Sequence, residues 1–292
     1  MNHTPFDAFF QGVAGDYLRR AIIFALDEDG ADLTSHAVFT GNEVAHCVIL
    51  AKEETICAGL PVIDLVLDAL GLERPHDVTF HHADGDTVSA GTVVAEFACS
   101  PIVAFKAERV ILNFVCHLSG IANLTRRYVD ALAGTRTVLL DTRKTLPCLR
   151  YPEKYAVLLG GGKNHRMDLA EMLMLKDNHI DQAGGISPAV QALRRAYTPC
   201  PPIEVECRTL DDVSEAVALG VDRIMLDNMD PATLRDALAR IPEGIESEVS
   251  GGVNLSTIAD IGRIGPDFVS VGRLTHSAPA ADFSMRVRIT NG

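Results

Sequence analysis

The chain has 292 residues, of which 47% are hydrophobic and 22% charged, a globular balance that excludes a disordered chain and leaves room for one large domain or two ordinary ones. Its 26 Lys and Arg face 39 Asp and Glu, giving a net charge of -13 that repels polyphosphate backbones and argues against a nucleic-acid partner. A small anionic substrate would have to meet basic residues gathered in one cleft.

The start, MNHTPFDAFF, lacks the basic n-region and apolar core of a signal peptide, and no apolar run approaches the ~18 residues that span a bilayer. Seven cysteines form no C-x-x-C pair, so reduced thiols in a cytoplasm are expected. Residues 16–26 carry apolar side chains at helical spacing, stopped by Asp27-Glu28-Asp29-Gly30. Alternating stretches at 43–52 and 78–97 predict strands, with an apolar-rich segment at 60–72 between them. The run from Asp84 to Gly91 looks like the turn of a lipoyl- or biotinyl-carrier hairpin. A carrier needs a modifiable Lys at the hairpin tip, and none occurs between His81 and Ser100, so this sandwich reads as scaffold.

A long helix is predicted over 102–118, where Val110, Ile111, Phe114 and Leu118 share one apolar arc. Lys106, Arg109, Asn113 and His117 form a polar stripe beside it, on geometry alone a solvated face. Ser119-Gly120 is expected to break this helix before a second one running to residue 133. From residue 137 the pattern alternates β-rich runs, at 137–142, 172–176, 203–207, 223–227, 245–250 and 267–271, with amphipathic helices such as 211–219 and 231–240. Such alternation means parallel strands with right-handed crossovers, and the later units recur about every 22 residues, the length of one barrel unit. An α/β fold with an open, incomplete β/α barrel is expected.

Each of these strands ends in residues of chemical interest: Asp141-Thr142-Arg143-Lys144, Lys176-Asp177-Asn178-His179, Glu204-Val205-Glu206, Asp227-Asn228, Ser250-Gly251-Gly252 and Gly272-Arg273. Strand C-termini of a β/α barrel open on one face, where active sites are built. Arg143, Lys144, Arg166 and Lys176, with His165, are suited to carboxylate or phosphate. Glu206 and Asp227 suit Mg²⁺ or a developing positive charge. The glycines after the last two strands stand where barrels commonly hold a phosphate on backbone N–H groups.

These residues also carry a resemblance. The run DTRKTLPCLRYPEKYAVLLGGGKNHRMDLAEMLMLKDNHI from Asp141 resembles the signature of quinolinate phosphoribosyltransferases, the decarboxylating nicotinate-nucleotide pyrophosphorylases. IEVEC at 203, IMLDNM at 224, SGGVN at 250 and FVSVGRLTHSAP at 268 continue it, with AERVILNFVCHLSGIA before the barrel and DGDTVSAG in the first domain. One position departs: Cys148 stands where the family usually has Gly, in the loop after Lys144.

The resemblance implies a smaller N-terminal α/β sandwich domain, 1–117, joined by the C-terminal tail 275–292, and a barrel domain over 118–274. It implies transfer of phosphoribosyl from phosphoribosyl pyrophosphate to quinolinate with Mg²⁺, in a homodimer or hexamer with shared sites. Arg143, His165 and Arg166 would bind the quinolinate carboxylates; Lys144 and Lys176 would contact quinolinate or pyrophosphate, Lys144 as a catalytic group. Glu206 and Asp227 would face the ribose and its metal. Thr142, Ser250, Gly251, Gly252, Ser270, Val271 and Gly272 would complete the substrate site, the glycines cradling the 5′-phosphate. Arg109 would enter the neighbouring subunit's site. Two other readings remain: a barrel lyase with Lys144 or Lys176 as Schiff base, and a same-fold paralogue of metal-transport systems that has lost the chemistry.

Overall fold

The computed structural model describes residues 4–40 and 42–291, so the first three residues of the N-terminal run and Gly292 of the tail lie outside the described residues. The chain opens with α1 (Pro5–Phe9), α2 (Val13–Glu28), α3 (Leu33–Val38), β1 (Glu43–Ala51), β2 (Thr55–Ile56), α4 (Val62–Ala69), β3 (Val78–Phe80), β4 (Thr87–Val88), β5 (Val93–Cys99) and α5 (Pro101–Ala131). It continues with β6 (Val138–Leu140), α6 (Arg150–Leu159), β7 (Leu173–Leu175), α7 (Asp177–Ala183), α8 (Ile186–Ala196), β8 (Ile203–Cys207), α9 (Leu210–Leu219) and β9 (Arg223–Asp227). Then follow α10 (Pro231–Arg240), β10 (Glu246–Ser250), α11 (Ile258–Ile264), β11 (Phe268–Ser270), α12 (Arg273–His276) and β12 (Phe283–Asn291).

Two compact units result. The first comprises residues 1–126, 145–161 and 274–292, the second 127–144 and 162–273. The change from one unit to the other falls within α5, and 145–161 groups with the first unit. In that unit an antiparallel sheet runs β12-β1-β5-β3, and the C-terminal β12 pairs with β1 over nine residues, from Glu43 opposite Asn291 to Ala51 opposite Phe283. The arc of Val110, Ile111, Phe114 and Leu118 is buried, as its spacing predicts.

Helix α5 does not break at Ser119-Gly120, contrary to expectation. Ser119 is fully buried and its Oγ accepts the N–H of Ala58 at 3.0 Å. Gly120 gives the helix a bare patch where Pro279 approaches: a Cβ there would lie 2.0 Å from the Pro279 carbonyl oxygen. Glycine serves close approach here rather than a stop. The polar stripe beside the arc divides. Lys106 Nζ donates to the Leu26 and Gly30 carbonyl oxygens at 2.7 and 2.5 Å, His117 Nε2 meets Glu153 at 2.9 Å, and only Arg109 and Asn113 are exposed.

The second unit holds a six-stranded parallel sheet in the order β6-β11-β10-β9-β8-β7. Read as a ring this is chain order, open between β6 and β7, which do not pair among the described residues. Its crossover helices start on local signals. Thr209 Oγ1 accepts from Asp212 N at 3.1 Å ahead of α9, and Asp230 caps α10 just before Pro231. This is the expected open barrel, and it sets six strand ends side by side.

Candidate active site

In a strand, residues two apart share a face. On β8 that aligns Glu204 with Glu206; on β9, Arg223, Met225 and Asp227; on β10, Glu246, Glu248 and Ser250. Parallel register then places Glu206 beside Met225 and Ser250 beside Asp227. The strand ends enclose a cavity of about 550 Å³, lined by Thr142, Arg143, Lys144, His165, Arg166, Lys176, Glu206, Asp227, Ser250, Gly251, Gly252 and Ser270 among others. Residues far apart in sequence thus meet in one cleft within the second unit. Val271 and Gly272 follow β11 but do not line the cavity, and Arg109 is exposed on α5 in the first unit.

The cationic side is built from two segments. After β6, Lys144 N donates to Thr142 Oγ1 at 3.0 Å and turns the chain. Arg143 follows with its Nε buried and without a hydrogen-bond partner among the described residues. Beyond α6, Asp141 Oδ1 accepts the His165 N–H at 2.8 Å and Oδ2 takes Asn164 Nδ2 at 2.7 Å. Arg166, mostly buried, sends Nη1 to the Met172 carbonyl oxygen at 2.8 Å. Burial, then the charge of Arg143, lower its affinity for the proton.

Opposite stand the acids. Burial, then the charge of Asp227, push the Glu206 carboxyl above its usual range, against the pull of Lys176. A divalent cation would relieve both effects, and two carboxylates on adjacent strand ends offer the hard oxygen ligands Mg²⁺ prefers, so this pair fits the metal that the resemblance implies. Asn228, in the left-handed region at φ 53, turns back so that its Nδ2 donates to Asp227 Oδ2 at 2.8 Å. Gly251 allows that turn, since a Cβ on it would lie 2.3 Å from Asn228 Oδ1. Gly251 and Gly252 are both left-handed, at φ 88 and φ 63, and Gly252 is exposed at the cleft.

Below the mouth, His165 and Glu204 meet Glu248, which strand-end reasoning missed. His165 Nε2 is 3.1 Å from Glu204 Oε2 and 3.3 Å from Glu248 Oε2, and both glutamate side chains are fully buried. Burial disfavours a charged imidazole, but the two carboxylates outweigh it and push His165 up to about 9. Glu204 is raised, first by burial, while the His165 contact and Arg223 hold Glu248 low despite its burial. These atoms are close enough to ligate an ion, and His165 Nδ1 lies 2.7 Å from the Arg166 backbone nitrogen. Glu248, Met174 and Met225 also line the cavity and were not singled out from sequence. The available signal was period two: Glu248 stands one inward position below Ser250.

The departure at Cys148 keeps a glycine-like backbone, with φ 65. Nearby, Leu146 N donates to Glu153 Oε2 at 3.1 Å. Lys144 and Lys176 are exposed, unlike the desolvated lysine of a Schiff-base site. No helix among the described residues is long and apolar enough to cross a membrane.

Comparison with known proteins agrees across the chain. The family model "Quinolinate phosphoribosyl transferase, N-terminal domain" matches residues 32–119, and its C-terminal counterpart matches 121–286. The probable nicotinate-nucleotide pyrophosphorylase [carboxylating] of Bacillus subtilis is 40% identical, over 92% of each chain. The chloroplastic nicotinate-nucleotide pyrophosphorylase of Arabidopsis thaliana is 38% identical, over 92% of this chain and 82% of its own. The crystal structure of NadC from Streptococcus pyogenes superposes with a TM-score of 0.85 at 40% identity, covering 94% of this chain and 97% of that one.

Proposed function

The chain belongs to the quinolinate phosphoribosyltransferase family, and from that membership we propose how its cleft divides the work. The enzyme joins quinolinate to phosphoribosyl pyrophosphate and releases pyrophosphate and CO₂, leaving nicotinate mononucleotide for NAD synthesis. Quinolinate is a dianion, and the side of the cleft formed by Arg143 and Arg166, with His165 beneath, receives its two carboxylates. The observation that carries this reading is Arg143 Nε, a buried donor with no hydrogen-bond partner among the described residues. Such a group is costly unless a ligand satisfies it.

Lys144 and Lys176 border the same cavity and meet the departing pyrophosphate. Loss of pyrophosphate makes the ribosyl centre oxocarbenium-like, and Glu206 and Asp227 lie where fixed negative charge would stabilise it. The same pair would hold Mg²⁺, which when bound neutralises pyrophosphate charge. The backbone of Ser250, Gly251 and Gly252 cradles the 5′-phosphate, with Thr142 and Ser270 completing the walls and Val271 and Gly272 beside them. The quinolinate nitrogen, held in line by its carboxylates, attacks the ribosyl carbon. The pyridinium so formed takes up the electron pair left when the adjacent carboxylate departs as CO₂, and a proton then replaces it on the ring carbon. No enzyme nucleophile is needed. Arg109, exposed on α5, completes the site of a second copy in a homodimer or a larger assembly, and the protein works in the cytoplasm.

The test is an assay with quinolinate labelled in the carboxylate beside the nitrogen. CO₂, pyrophosphate and nicotinate mononucleotide should appear in equal amounts. Pyrophosphate release without CO₂ would sink the reading.

A further inference from the structure

Behind the cleft, contacts run without interruption from the barrel interior to a substrate-facing guanidinium. Arg223 Nη1 lies 3.3 Å from Glu248 Oε2, and the same oxygen is 3.3 Å from His165 Nε2. The other nitrogen of that ring receives the Arg166 N–H at 2.7 Å, and the Arg166 side chain continues to the Met172 carbonyl oxygen and the cleft. Nδ1 of His165 thus meets the backbone of its neighbour, and Nε2 lies within ion-pair distance of the two carboxylates without a hydrogen bond to either. Arg223 is itself fixed, by Glu246 at 2.7 Å and by the Phe268 ring 4.3 Å beneath its guanidinium. Burying these charges gives little stability in itself, since an apolar filling of the same volume is often as good or better. What the arrangement does supply is an orientation.

We propose that Glu248 is a positioning residue for quinolinate recognition, bracing the His165 ring from below so that the ring in turn fixes the backbone from which Arg166 reaches the cleft. This rests on the reading that Arg166 meets quinolinate. Glu204 shares the contact with His165, but it stands two residues from Glu206 on the same strand. Glu248, on β10, can be altered with the acidic pair left intact.

Steady-state kinetics with both substrates varied tests this on Glu248→Gln, Arg166→Lys and their combination. Glu248→Gln should raise the quinolinate KM about tenfold, as loss of an outer orienting partner commonly does, while the phosphoribosyl pyrophosphate KM changes less than about twofold. Because the two residues act in series, the double variant should be little worse than Arg166→Lys alone. Equal rises in both KM values, or losses that multiply in the double variant, would overturn the proposal. An unchanged quinolinate KM in Arg166→Lys would instead remove the underlying reading, and this inference with it. Should Glu248→Gln fail to fold, His165→Gln carries the same comparison: a quinolinate-selective rise supports the bracing role, and an equal loss for both substrates refutes it.

Discussion

In the first unit, half-buried Asp84 lies between Leu60 N at 2.9 Å and the Tyr155 hydroxyl at 2.8 Å, and the hairpin turn that carries it closes on the protein's own groups. In the second unit, Arg143 Nε is buried at the cleft, yet it has no hydrogen-bond partner among the described residues. Both regions remove polar atoms from water. The first satisfies the carboxylate internally and uses it as scaffold, which is why a carrier-like turn without a lysine has no carrier chemistry. The second leaves the Arg143 donor at a cleft, where a ligand completes it. Substitutions in the two regions should therefore separate cleanly, turnover failing in one and stability shifting in the other.

The largest separation is expected at the acidic pair. Glu206→Gln and Asp227→Asn keep shape and remove charge, so turnover should fall about 10²–10³-fold, roughly 2–4 kcal/mol of transition-state stabilisation, with little change in quinolinate binding. Stopped assays beside calorimetric binding would check this; unchanged turnover in both would place the electrostatic centre elsewhere. Next is the shared site. Arg109→Ala and Arg166→Ala should each be nearly inactive, but mixed dimers should recover about a quarter of wild-type activity, since half the random dimers hold one intact site. Verified mixed dimers that show no recovery would confine each site to one subunit.

Asp84 supplies the converse. Burial pushes its carboxyl up to about 6 in the folded protein, above the ordinary unfolded value, so the folded state loses stability as pH rises from about 4 through 6. Asp84→Asn has no such proton to lose. Its stability relative to wild type should improve by about 3 kcal/mol between pH 4 and pH 7, read by urea denaturation, with turnover at pH 7 preserved. A pH-independent difference would mean that Asp84 is ionised in both states. The smallest effect is at Cys148, whose left-handed backbone favours glycine; Cys148→Gly should stabilise by about 1 kcal/mol, raising Tm slightly.

The barrel was legible because its strands are short, apolar and regularly spaced, and their ends carry charges that ordinary turns do not need. The same habit of looking at strand ends hid Glu248, two residues inside β10, although a charged residue on the inward face of a barrel strand is a signal in its own right. Helix α5 misled for another reason. Ser119-Gly120 reads locally as a stop, and only Ala58 and Pro279, distant in sequence, show that a small pair is needed for packing. Arg143 and Arg166 were assigned on residue type and resemblance; that Arg143 is buried and lacks a partner among the described residues is a property of the folded loop that no spacing reveals.

The central claim is that the cationic side of the cleft is built for the second carboxylate. The direct measurement is kcat/KM for quinolinate against nicotinate, which lacks the carboxylate beside the nitrogen. Nicotinate would leave buried positive donors unpaired, and a site made to bind such a group can discriminate by ~10⁴-fold or more. The account predicts a ratio of that order, narrowed by Arg166→Gln, which should cost quinolinate far more than nicotinate. Turnover of nicotinate within about tenfold of quinolinate by the wild-type enzyme would contradict it.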